Sequence, residues 1–114
     1  MTSRAFSVTT YGGPLLINMN LFVNSGSHIT CQPIIDGAWA GSFGGLPSAG
    51  NPFWREGLVY SGFGGWHPWT TSRVYPGVPA GTHTVAAQCA TNGGTGGYCN
   101  AGSVGCSMSV IEIQ

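Results

Sequence analysis

Few residues in this chain can carry chemistry. The imidazole and carboxyl side chains are His28, His67, His83, Asp36, Glu56 and Glu112; Arg4, Arg55 and Arg73 are the only permanent cations, and lysine is absent. Glycoside hydrolysis needs two carboxylates about 5–9 Å apart across the bond to be cut. Asp36 precedes Gly37 in an Asp-Gly turn, where a carboxylate bonds the local backbone. Glu56 adjoins Arg55, a charge of opposite sign that it is able to neutralise. Glu112 lies between Ile111 and Ile113 and reads as an edge or interface charge. A serine nucleophile on a Gly-x-Ser-x-Gly elbow is missing. His83 alternates with Val85 and reads as a strand residue bonding across a sheet. His28 follows a Ser-Gly-Ser turn and reads as solvated. Three scattered acids do not make a calcium site. Catalysis, a cofactor and a bound metal are therefore not expected.

The cysteines are Cys31, Cys89, Cys99 and Cys106. The last three are spaced by ten and seven residues, with no Cys-x2-Cys step and no interleaved histidine, so zinc is not indicated. An even number in a charge-poor, glycine-rich chain favours disulfides and an oxidising location. Four cysteines allow three full pairings. Cys89 and Cys106 flank a glycine-rich loop on the small apolar faces of two strands, which makes them attractive partners. A bond closing a loop of that size contributes about 3 kcal/mol. Cys99 lies within the same loop and competes for either one.

Aromatic residues concentrate between positions 39 and 75. Trp54, Trp66, His67 and Trp69 are the candidate ligand- or partner-contacting set, beside Gly, Ser and Asn. Flat rings with amide and hydroxyl neighbours suit a sugar face, and Trp and Tyr are enriched where proteins meet. The same rings also serve to fill a small core or a subunit axis.

These residues are positioned by strands. Twenty glycines and seven prolines in 114 residues interrupt every window that a helix would need. Alternation marks strands over 5–10, 15–24, 29–35, 58–61 and 69–75. In the second, Leu15, Ile17, Met19, Leu21 and Val23 share one face, and Leu16, Asn18, Asn20 and Phe22 share the other. Pro33 places the third strand at a sheet edge or a bulge. The stretches 37–56 and 62–68 read as glycine-aromatic loops. GTHTVAAQCA at 81–90 and CSMSVIEIQ at 106–114 read as the two strands of a long closing hairpin. Seven or eight short strands in one domain, 1–114, make an antiparallel sandwich or jelly roll. Three arginines cannot neutralise a run of phosphates, so nucleic acid is set aside. No apolar run is long enough for a membrane helix, and the first residues lack the apolar core of a secretory signal.

Four segments carry a family resemblance. TTYGGPLLINMNLFVN, ITCQPIIDGAW, GVPAGTHTVAAQ and MSVIEI resemble strand-and-turn segments of the C1q/TNF-like jelly-roll family of bacterial and phage proteins. The resemblance implies an all-β antiparallel jelly roll, a homotrimer, and a structural or recognition role without catalysis. The chain departs from it in carrying no Gly-X-Y stalk and in its two glycine-aromatic loops. Near-zero net charge also favours self-association. The expected function is a structural protein of a phage particle, a trimeric capsid decoration or cement at the virion surface, bound to other virion or surface-assembly proteins. The alternative is a carbohydrate- or receptor-binding head of a tail fibre or bacterial surface protein, meeting glycans or a host receptor outside the cell.

Overall fold

A computed structural model describes residues 5–25, 28–44, 59–60, 67–92, 96–98 and 107–113. These form nine strands: β1 (Phe6–Thr10), β2 (Leu15–Ser25), β3 (His28–Ile35), β4 (Ala38–Trp39), β5 (Val59–Tyr60), β6 (His67–Tyr75), β7 (Gly81–Asn92), β8 (Gly96–Tyr98) and β9 (Ser107–Glu112). One 3₁₀ turn spans Ala40–Gly44. The architecture is all-β with antiparallel pairing throughout. The first sheet runs β1-β7-β3-β4, with β5 also on β3. The second runs β6-β2-β8, with β9 also on β2.

Alternation along β2 sets the core. Leu15, Ile17, Met19, Leu21 and Val23 are fully buried, and meet Cys31, Ile35, Val85, Ala87 and Cys89 of the first sheet in one cluster. Burying one such aliphatic side chain is worth about 1.5–3 kcal/mol, so this interleaved row is what holds the two sheets as a sandwich. Trp69 and Tyr75 of β6 close one side of the core, and Met108 and Val110 of β9 pack against it.

Two expectations change here. The final strands are not a hairpin: β7 lies between β1 and β3, whereas β9 lies on β2 in the other sheet. Hairpin strands are joined by short turns of about 2–5 residues. The connection from β7 to β9 is far longer, and it leaves each strand free to bury its small apolar face against the core from opposite sides. Pro33 likewise lies on a strand with neighbours on both sides, and β3 pairs with β7 along its whole length. On its other side, β4 meets only Ile34 and Ile35, and β5 meets only His28 and Ile29. Pro33 thus faces a stretch with no described strand partner, where its missing N–H costs no ladder bond.

The β3–β4 connection is the two-residue turn Asp36-Gly37, with φ of 51° and 83°. Positive φ at both positions is the primed turn whose twist matches the flanking strands. The Asp-Gly dipeptide is the sequence signal for it.

Candidate functional site

Three polar constructions are built on this frame. The first sits at the β3–β4 turn. The Asp36 carboxylate accepts the Thr84 backbone N–H through Oδ1 at 2.9 Å and faces His83 Nδ1 through Oδ2 at 2.6 Å. The other ring nitrogen of His83 is 2.6 Å from the Pro79 carbonyl oxygen. Both partners accept and neither donates, so both ring nitrogens must carry protons for the two bonds to coexist. The Asp36 bond, then the Pro79 carbonyl, raise the His83 pKa. The same bond, then the Thr84 N–H, lower that of Asp36. This imidazolium ties the β3–β4 turn to the loop before β7. Both of its bonds are made to residues of this same edge of the first sheet and the loop leading into it.

The second construction is Glu112. Its carboxylate accepts the backbone N–H of Tyr11, at 2.9 and 3.1 Å, and of Gly13, at 2.9 Å. Glu112 does sit at a sheet edge, since β9 pairs only with β2 among the described strands, and there its carboxylate is a clamp that holds the β1–β2 turn against β9. Ile113 N–H, donating to the Pro14 carbonyl at 2.8 Å, completes it. No sequence motif announces a carboxylate bound to backbone this far away.

The third is the outer face of the β6-β2-β9 sheet. Register places Val74, Leu16 and Ile111 in one row. Ser72, Asn18 and Ser109 form the next, then Thr70, Asn20 and Ser107, and then Pro68 and Phe22. None of these residues is charged. Ser72 Oγ–H donates to Asn18 Oδ1 at 2.5 Å, and Asn18 Nδ2–H donates to Ser109 Oγ at 3.3 Å. A groove of about 480 Å³ runs over Asn18, Asn20, Thr70, Thr71, Ser72 and Ser109. The polar alternation of β2 was visible in the sequence, but the matching polar rows on β6 and β9 acquire meaning only once register brings them together.

The residues singled out from sequence fare differently. Trp69 is 3% exposed and belongs to the core, so its ring is not presented to a ligand. Its position, opposite Leu21 of β2, turns it inward by alternation. Trp54 and Trp66 lie outside the described residues, and of His67 only the strand position, opposite Val23, is described. The disulfide joins Cys89 to Cys31, not to Cys106. These two residues face each other directly in the β3–β7 register, with Cα atoms 4.0 Å apart. Their side chains leave the same face of the sheet, which is what brings the two sulfurs together. Cys99 and Cys106 lie outside the described residues. Among the described residues, no group of three or more His, Cys, Asp or Glu is placed to hold a metal. No helix among them is long and apolar enough to cross a membrane.

No known protein family, curated protein or solved structure matches this chain.

Proposed function

We propose that this chain is a non-enzymatic structural subunit, a homotrimeric jelly roll that decorates or cements a phage particle or a similar surface assembly. One observation carries the reading. Tyr11, Val74, Ile111 and Ile113 are between 41% and 76% exposed. They form a continuous surface: Val74 and Ile111 flank Leu16 in one row, Ile113 follows Ile111 along the chain, and a hollow lined by Tyr11, Gly13, Glu112 and Ile113 joins them. A contiguous exposed apolar patch marks a surface meant to be covered. Six charged residues in 114, with zero net charge, leave little repulsion between copies. The jelly-roll reading is supported by the way long strands change sheets in order. β1, β3 and β7 lie in one sheet, and β2, β6 and β9 in the other. A disulfide between strands suits a location exposed to oxidation, such as a virion or cell surface.

Light scattering after size exclusion tests the oligomer. A trimer is expected, dissociating to monomer in Ile111→Asp; a parent protein that runs as a monomer at every concentration overturns it. Rebinding to particles stripped of the protein tests the assembly role. Saturable rebinding of the parent trimer is the expected result, and absence of rebinding rules the role out.

A further inference from the structure

We propose that the groove across the outer face of the β6-β2-β9 sheet binds a neutral saccharide, with Asn18 and Asn20 as its principal polar contacts. The inference does not rest on the assembly reading, since the groove lies on the polar rows beside the apolar patch.

Chemistry points to the ligand class. Among the described residues the groove is lined by amides and hydroxyls, with no charged side chain. Phosphate, sulfate and carboxylate ligands are drawn to arginine forks or lysines, and none is offered here. A sugar presents hydroxyls that both donate and accept, which is what an array of Asn, Ser and Thr matches. The hollow is shallow and open to solvent, a shape for a saccharide lying along the sheet rather than one enclosed in a cleft.

The array is also oriented. Asn18 holds Ser72 and Ser109 on either side, so its amide plane is fixed across three strands. Ser109 Oγ accepts from Asn18, which leaves its own proton to point elsewhere. Asn20 lies in the next row, between Thr70 and Ser107, and its amide is exposed. Polar groups held on rigid strands lose little freedom when a ligand arrives. Phe22, 40% exposed, stands two residues beyond Asn20 on the same face of β2, beside Pro68. An aromatic surface next to an amide provides for the apolar face of a pyranose ring as well as its hydroxyl edge.

The experiment titrates uncharged probes (cellobiose, chitobiose, lactose, maltose and mannobiose) and one charged probe, heparin disaccharide, into the ¹⁵N-labelled protein. The side-chain NH₂ resonances of Asn18 and Asn20 report binding. The expected result is saturable movement of both resonances with at least one neutral sugar, insensitive to salt. In Asn20→Ala, which removes an exposed amide and preserves the fold, affinity falls about fivefold or more, the size expected for one lost hydrogen bond. Phe22→Ala weakens binding as well. The proposal is overturned if no neutral probe moves these resonances at tens of millimolar, if binding is unchanged in Asn20→Ala, or if only the charged disaccharide binds. It is overturned equally if Asn20→Ala changes the oligomeric mass, which marks the groove as a contact between copies.

Discussion

His83 and Asp36 share a 2.6 Å contact that joins strand β7 to the β3–β4 turn, 47 residues apart in the chain. The contact makes stability depend on pH from both sides. The His83 pKa is raised above its ordinary 6.5, first by the Asp36 bond. Its contribution is complete below about 6.5 and fades as pH rises through the folded value. The Asp36 pKa is lowered from 3.8, first by the His83 bond. Its contribution is complete above that value and fades as pH falls through the folded one. Stability is therefore greatest between these limits. Thermal melts of the parent should show a falling midpoint above neutrality. The fall should be absent in His83→Gln, which keeps one hydrogen bond but cannot take a second proton. Equal alkaline slopes in the two proteins would contradict the pairing.

The Cys31–Cys89 bond closes a separation of 58 residues. On chain-entropy grounds such a closure stabilises by about 4 kcal/mol. The double variant Cys31→Ala/Cys89→Ala is expected to lose stability of that order in denaturant titration. Peptide mapping without reduction should recover the segment around Cys31 joined to that around Cys89. Recovery of Cys89 joined to Cys106 instead would refute the assignment.

Gly77 lies where the loop after β6 presses on the β1–β2 turn. A Cβ there would meet the Gly12 carbonyl oxygen at 2.5 Å and collide with that of Gly13 as well. Backbone cannot step aside as a flexible side chain does. Gly77→Ala should therefore cost about 1–3 kcal/mol, as overpacking does, whereas Gly→Ala at an unhindered site with negative φ stabilises. Chemical denaturation distinguishes the two.

Removing the Glu112 carboxylate strips the acceptor from two backbone N–H groups at once. Glu112→Ala should cost about 1–3 kcal/mol and speed amide exchange at Tyr11 and Gly13. Unchanged exchange at both would show that the clamp does not hold in solution.

The strands and their inward faces were legible in the sequence wherever alternation was strict. Leu15 to Val23 reads as a half-buried strand, and it is the core row. Asp36-Gly37 reads as a turn, and its two positive φ values follow. Partner choice was less legible. Alternation says which face a strand buries but not which strand lies beside it, so β7 and β9 read as neighbours when they belong to different sheets. The cysteine pairing followed that misreading, because Cys31 becomes the partner of Cys89 only through the β3–β7 register. Trp69 was drawn into a ligand set by its company of aromatics. Its parity with Tyr75 on β6 places it inside.

The division of β7 and β9 between sheets also has a bearing on how the chain reaches its fold. Phe6 pairs with Val85, and Leu15 pairs with Glu112. The centre of each sheet thus waits on residues made tens of positions later. Loop closure must be largely met before these pairings return any free energy, a topology that folds in milliseconds to seconds rather than microseconds. During that interval the β2 row of Leu, Ile, Met and Val is uncovered, and a chain with so little charge has scant means of keeping copies apart. Folding yield should therefore depend steeply on concentration, and the step most exposed to loss is the arrival of the last strand.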